Sequence, residues 1–399
     1  MTDVRNDFDF INNQSVVYLD SSSTSLKPNS VLKDVNDYYQ KYPFNIGRGT
    51  SKFTQEVNKK VDETRELVRK FINASSTDEV VFTNGATEAS NLLSYSYGLP
   101  NLKNNDEVLV CNEDHKSTVL PWIHIQDILD KLGLTIQLVD ILIDLEGDYK
   151  ERDLIDKVNK RTKVVVLTHI HNMYGLEMDI ENLVFSIRQK NKGCKIILDA
   201  SQSIGHMKVD VQRLNVDFLY FSGHKMFALP GSGVLYIRKD NYQYLTPFRI
   251  GGGYQNQSVP NYNNFECGTL NIPGILSLGS AIKYINRITI DEMEKYVYSL
   301  TRYLYNELVQ IKQIEFNKGI AKCKCALGYG IISFKIHGIP MTDVVEVLNE
   351  YNIIVRGGNF CNTSNTDDFI RVSLHIYNHK EDIDKLVKVL KYIVEESLY

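Results

Sequence analysis

Several residues able to do chemistry stand just beyond runs of strand-forming residues. Lys225 follows Val216-Asp217-Phe218-Leu219-Tyr220-Phe221 and the turn Ser222-Gly223-His224. Asp199 closes the apolar run Lys195-Ile196-Ile197-Leu198, and Gln202 stands three residues on. His115 follows Glu107–Cys111, Asn172 follows Lys163–His169, and Asn84-Gly85-Ala86-Thr87-Glu88 follows Glu79–Thr83. A lysine held where water is scarce has its pKa depressed and becomes a nucleophilic amine. A carboxylate at the end of an apolar run is costly unless a cation or hydrogen-bond donors meet it. A Gly-containing turn that opens a helix offers free N–H groups and a positive dipole end, which suits a phosphate, and Thr87 adds a hydroxyl. The His115 ring is placed to cover a flat ligand, and the Asn172 amide to bond a ligand oxygen. Each has a plainer reading alone: an N-cap for Thr87, a structural histidine for His115, a solvated cap for Lys225.

Taken together the set is harder to explain as structure alone. Pyridoxal 5'-phosphate requires a Schiff-base lysine, a carboxylate facing its pyridinium nitrogen, donors for its phosphate and a partner for its ring. Lys225, Asp199, Thr87 with Ser222 and His224, and His115 supply these. No metal site is expected. His169 and His171 alternate along a strand and so face opposite ways. The six cysteines, Cys111, Cys194, Cys267, Cys323, Cys325 and Cys361, contain no C-x-x-C pair, and Cys323-Lys324-Cys325 lacks a second pair.

The elements that must position these residues alternate short apolar strands with amphipathic helices. Strands are predicted at Glu79–Thr83, Glu107–Cys111, Thr135–Val139, Lys163–His169, Lys195–Asp199, Asp217–Phe221 and Val234–Arg238. The helices between them are Glu88–Tyr97, Thr118–Lys131, Tyr149–Asn159 and Ile180–Asn191. This is the pattern of an α/β domain with a mainly parallel sheet, in which ligands sit beyond the carboxyl ends of the strands. After Gly251-Gly252-Gly253 comes a polar stretch, then long helices at Gly274–Ile288 and Asp291–Ile314. Strands at Gly330–Ile336, Ile353–Arg356 and Ile370–His375 and helices at Met341–Tyr351 and His379–Leu398 complete a smaller α+β unit. The expected division is a large cofactor-binding domain, 15–262, and a small C-terminal domain, 263–399 with 1–14. The chain of 399 residues is 43% hydrophobic and 24% charged, with net charge −4, which argues against a nucleic-acid partner. The acidic start, MTDVRNDFDF, is neither a signal peptide nor a membrane span, so a cytoplasmic protein with reduced thiols is expected.

These motifs resemble the cysteine desulfurases of the class V aminotransferase-like family, fold type I pyridoxal phosphate enzymes. The resemblance is closest to the second desulfurase group, which includes selenocysteine-lyase-like members. The matching segments run in family order: Tyr18-Leu19-Asp20, Arg48-Gly49, Asn84-Gly85-Ala86-Thr87-Glu88, Asp114-His115, Thr168-His169-Ile170-His171-Asn172, Leu198-Asp199-Ala200-Ser201-Gln202, Ser222-Gly223-His224-Lys225, Glu266-Cys267-Gly268-Thr269, Val355-Arg356-Gly357-Gly358-Asn359-Phe360-Cys361 and Arg371-Val372-Ser373. The family pattern implies a large domain with a mainly parallel seven-stranded sheet and a smaller α+β domain. It implies that Lys225 binds the cofactor covalently, Asp199 pairs with the ring nitrogen, His115 stacks on the ring and Gln202 bonds the ring's phenolic oxygen. Ala86, Thr87, Ser222 and His224 would bind the phosphate, with Thr269 reaching over from the second subunit of a homodimer. Arg371, helped by Asn172 and with Arg356 nearby, would clamp the substrate carboxylate. Cys361 would take sulfur from L-cysteine as a persulfide, leaving L-alanine, and pass it to an acceptor protein for iron–sulfur cluster assembly or other sulfur-containing biosynthesis. Alternatives are another class V reaction (selenocysteine lyase, epimerase or aminotransferase) or a non-catalytic partner of the same fold. The chain departs from the family pattern at Asn359-Phe360-Cys361-Asn362, at Lys116 after the stacking histidine, at Ser21-Ser22-Ser23-Thr24, and in a short Gly253–Phe265 segment.

Overall fold

Valine, isoleucine and leucine fill the central strands so completely that both faces must be covered, and helices cover them. The computed structural model describes residues 4–47, 49–144, 146–253, 260–318, 329–358, 360–362 and 368–397. Arg48, Asn359, Cys323, Cys325 and residues 254–259 of the short segment lie outside them.

The first strand, β1 (Val17–Tyr18), precedes seven strands that form one sheet: β2 (Val80–Thr83), β3 (Glu107–Val110), β4 (Gln137–Asp140), β5 (Thr162–Thr168), β6 (Lys195–Asp199), β7 (Phe218–Ser222) and β8 (Gly233–Ile237). Their spatial order is β2-β8-β7-β6-β5-β3-β4. β3 through β7 pair in parallel, and β8 runs antiparallel between β2 and β7. The register places Thr168 beside Asp199 and Asp199 beside Tyr220, so the carboxyl ends of β5, β6 and β7 open on one crevice. This is the expected α/β class with its mainly parallel seven-stranded sheet.

The second layer is a four-stranded antiparallel sheet of β9 (Ile314–Phe316), β10 (Ile331–Ile336), β12 (Arg356–Gly357) and β13 (Ile370–Ser373), in the order β12-β13-β10-β9. Helices Ile290–Leu308, Met341–Glu350 and Lys380–Glu396 pack with it. The short β11 (Ile353–Ile354) pairs in parallel with β1, and Asp20 bridges to Ser373. Residues 17–20 are therefore strapped onto the smaller unit, although sequence places them in the larger one. Conversely, helix Ile272–Ile288, expected in the smaller unit, packs against helices Asn29–Lys41 and Lys52–Phe71 on the large-sheet side. Both crossings have a cause: two-residue strands carry too little pattern to read, and helix Ile272–Ile288 is buried on nearly every side along its first three turns, so its pattern does not say which unit it packs against. An aromatic cluster joins the parts, with the Phe8 ring 4.9 Å from Tyr377 and 6.0 Å from Phe227 and Tyr284. No described helix is long and apolar enough to cross a membrane.

Glycine is required where β8 meets the turn before helix Ala86–Leu93. A Cβ on Gly233 would lie 2.5 Å from the Gly85 Cα and 2.7 Å from the Phe221 carbonyl oxygen. Gly85 itself sits at φ 146°, a conformation L-residues avoid. Gly233→Ala is expected to cost roughly 2 kcal/mol, as overpacking does. A thermal melt should show a lower midpoint, and an unchanged midpoint would mean the approach is not tight.

Candidate active site

Every site residue expected from sequence, apart from Thr269, lines a single cavity of about 210 Å³. Ala86, Thr87, His115, Asn172, Asp199, Gln202, Ser222, His224 and Lys225 come from the large-sheet side, and Arg356, Cys361 and Arg371 from the smaller unit. Thr269 lies apart, in a second hollow with Glu88, Arg249 and Cys267.

The floor is built by β6 and β7. Asp199 is buried, yet both carboxylate oxygens are met: Thr118 Oγ1 donates to Oδ2 at 2.8 Å, and the Ser201 N–H donates to Oδ1 at 2.8 Å. Tyr220 O–H donates to Thr118 Oγ1 at 3.3 Å, which orients that hydroxyl toward Asp199. Lys225 ends a short 3₁₀ turn, Gly223–Lys225, directly after β7. Burial pushes its amine down to about 8; Asp199 opposes the shift and Arg371 adds to it. The Lys225 amine is thus a usable nucleophile near neutrality, as its sequence position implies.

His115 caps helix Lys116–Lys131, its Nδ1 accepting from the Ser117 N–H at 3.1 Å. Burial, then the Lys225 charge, holds the ring down at about 4, so it is neutral with Nδ1 as acceptor. Donors and hydroxyls gather at the start of helix Ala86–Leu93, where it lines the cavity. The Ala86 N–H donates to Ser222 Oγ at 2.8 Å, and Thr87 Oγ1 and Ser117 Oγ share a hydrogen bond at 2.8 Å. His224 also lines the cavity, and burial followed by Lys225 holds it down at about 4. Gln202 Nε2 donates to the Ser22 carbonyl at 3.0 Å, which uses one of its two amide hydrogens.

The smaller unit supplies two arginines. Arg371 is buried on β13; it donates to the Asn172 carbonyl at 3.1 Å, to Ser23 Oγ at 2.9 Å and to Asp20 Oδ1 at 3.2 Å. Arg356 reaches the same two residues, Ser23 Oγ at 3.0 Å and Asp20 Oδ2 at 3.4 Å. Asp20 therefore bridges both guanidinium groups. Asn172 lines the cavity, and its Nδ2 donates to the Phe360 carbonyl and to Asn362 Oδ1, both at 3.0 Å, so its hydrogens hold the Cys361 segment. Cys361 is exposed at the cavity wall, in the left-handed region at φ 59°. That conformation costs a non-glycine residue about 1 kcal/mol and is kept only where neighbours hold it.

Sequence reasoning missed the residues that hold these groups: Thr118 and Ser201 on Asp199, and Ser23 on both arginines. Asp20 stands in the Tyr18-Leu19-Asp20 motif, which by itself assigns it no role. Its signal was present, because Val16-Val17-Tyr18-Leu19-Asp20 ends an apolar run in a carboxylate as the β6 segment does. Cys111 and Cys194 are buried, with burial raising both thiols, Cys194 to about 12. His171 is stacked on Tyr174 at 4.1 Å, and the described residues hold no group of His, Cys, Asp and Glu fit for a metal.

The cavity's chemistry fits pyridoxal phosphate. Ser22 Oγ, Thr168 Oγ1, Ser201 Oγ and Arg371 Nε are buried without a partner among the described residues, and all four residues line it. Each such group costs about 1–3 kcal/mol until something polar meets it. Donors for an anion, a fixed carboxylate, an amine and an arginine with a free donor make a site for an anionic aldehyde and a carboxylate-bearing substrate.

Comparisons agree. The sequence profile of the class-V aminotransferases matches residues 17–386. A "Probable cysteine desulfurase" of Staphylococcus aureus is 33% identical over 98% of this chain and 94% of its own length. One of Halalkalibacterium halodurans is 34% identical over 96% and 94%. The apo structure of the cysteine desulfurase from Thermococcus onnurineus NA1 superposes with a TM-score of 0.90 at 31% identity, covering 99% of this chain and 98% of that one. The chain belongs to the aminotransferase class-V family and, within it, to the cysteine desulfurases. Its fold is that of the fold type I enzymes, and its cofactor is pyridoxal phosphate.

The Lys225 amine attacks an aldehyde only when unprotonated. Uptake of pyridoxal phosphate by cofactor-free protein should therefore rise with pH, about tenfold per unit below pH 8, and level off above it. Stopped-flow absorbance follows this directly. A rate that kept rising tenfold per unit well above pH 8 would show that the amine is not depressed.

Proposed function

We propose that this protein takes sulfur from L-cysteine onto Cys361 and releases L-alanine. The observation that carries the reading is that Cys361 stands at the wall of the cavity that also presents Lys225 and Arg371. A thiol, a depressed amine and a buried guanidinium in one space match a thiol-bearing amino acid. The relatives' name supports the same reading.

In this reading Lys225 would hold the cofactor covalently, and Asp199, His115 and Gln202 would hold its ring. Ala86, Thr87, Ser222 and His224 hold its phosphate. Pyridoxal phosphate, when bound, supplies the electron sink that loosens the substrate's α-proton and its carbon–sulfur bond. Arg371 receives the substrate carboxylate, for which its free Nε is available. The Lys225 amine, once free, would take the substrate's α-proton on Nζ. The Cys361 sulfur then attacks the substrate sulfur: the S–S bond forms as the C–S bond breaks, and the bonding pair stays on carbon. The proton that the Cys361 thiol gives up goes to that carbon, Lys225 returns its proton to the α-carbon, and alanine leaves. Cys361 keeps the second sulfur as a persulfide, so no outside oxidant or reductant is needed.

We further read the chain as a cytoplasmic homodimer. An exposed reactive thiol suits a reducing compartment. Thr269, outside its own chain's cavity, is free to complete a neighbour's phosphate cup. The persulfide passes to a sulfur-acceptor protein serving iron–sulfur cluster assembly or another sulfur-containing product.

Cys361→Ser should leave the absorbance of the bound cofactor unchanged and lower alanine formation from L-cysteine by at least about a hundredfold. Wild-type rates in that variant would remove Cys361 from the reaction.

A further inference from the structure

Cys361 is fastened from two sides by hydrogen bonds that the reaction does not itself require. The Lys116 N–H, at the first position of helix Lys116–Lys131, donates to the Cys361 carbonyl at 2.6 Å. Asn362, next in the chain, is buried and has both ends of its amide engaged. Its Nδ2 donates to the Glu113 carbonyl at 2.7 Å, and its Oδ1 accepts from Asn172 Nδ2 at 3.0 Å. Asn362 also forms an antiparallel bridge with His115. The anchor is itself fixed: both Glu113 carboxylate oxygens lie 2.8 Å from Lys318 Nζ, Tyr174 O–H donates to Glu113 at 2.5 Å, and His171 Nε2 meets the Glu113 carbonyl at 3.0 Å. This clasp joins the turn carrying His115 to the segment carrying the thiol.

We propose that Asn362 is a positioning residue, and that its amide, clasped between the Glu113 carbonyl and Asn172, seats Cys361 at the cavity. The proposal rests on the desulfurase reading above. It explains why Asn172 turns its amide hydrogens away from the cavity's ligand space. It also explains how Cys361 keeps a left-handed backbone: the carbonyl on one side and the next side chain on the other are both held, which fixes the torsions between them. An alanine at 362 would leave the Glu113 carbonyl and the Asn172 amide without these partners and free the segment to sample other conformations.

The test uses the full chain loaded with pyridoxal phosphate. In Asn362→Ala, alkylation of Cys361 by iodoacetamide without substrate, followed by peptide mass spectrometry, should change in rate by about tenfold. With L-cysteine, kcat for alanine should fall by about the same factor while KM and the cofactor absorbance stay at wild-type values, a split that general misfolding would not give. Lys116→Pro cuts the clasp independently. Proline is favoured at the first position of a helix, and His115 already has the extended backbone (ψ 139°) that a following proline needs. It should shift alkylation and kcat in the same direction. Unchanged alkylation in both variants would overturn the clasp. If wild-type protein formed no alanine, the desulfurase reading would fail, and the alkylation rates would still decide the clasp by themselves.

Discussion

A carboxylate is buried at the end of β6, and the site is organised around keeping it there. Removing an ionised carboxylate from water costs several kcal/mol unless donors or a cation replace the lost solvation. Asp199 is met by the Thr118 hydroxyl and the Ser201 amide, which fix its direction. Those two bonds place it at the cavity among groups that lower the charge they face: a depressed Lys225 amine and two neutral imidazoles, His115 and His224. A carboxylate fixed near an amine that gives up its proton suits a ring nitrogen that must stay protonated.

The smaller unit closes the space with a second carboxylate. Asp20, carried on the segment that β11 captures, joins Arg356 to Arg371. Holding two like charges near each other is unfavourable without such a counter-ion. Asp20 therefore lets a buried guanidinium face the cavity with one N–H still unspent. The two halves meet at one cavity, to which the smaller unit brings two guanidinium groups and a thiol.

Much of this was legible in the sequence, for a physical reason. Parallel strands buried on both faces must be continuous apolar runs, so Lys195–Asp199 is the same in sequence and structure, and the chemistry-bearing residues stand out as the polar groups that interrupt them. What failed to show were features set by tertiary pairing. The two-residue β1 has no periodicity, and its partner lies more than three hundred residues away. The helix Ile290–Leu308 ends six residues short of its predicted end because Ile314–Phe316 pairs with β10, a strand choice that local pattern cannot make. Asn172 read as a ligand residue because an amide near a site suits many partners; its bonds to residues 360 and 362 depend on where that segment lies. The homologous pattern near Cys361 likewise said nothing of Asn362, whose use depends on where the Glu113 carbonyl lies.

The central claim is that Lys225, and no other amine, carries the cofactor. Lys27 is the informative rival. Burial lowers it too to about 8, and its Nζ donates to the Thr24 hydroxyl and to the Ser25 and His224 carbonyls, just beneath the same turn. A depressed pKa alone would not tell the two apart, whereas facing the cavity would. Borohydride reduction of the loaded protein, followed by peptide mapping, should find the pyridoxyl group on Lys225 alone. A label on Lys27, or a Lys225→Ala protein labelled to the same extent as wild type, would contradict the account.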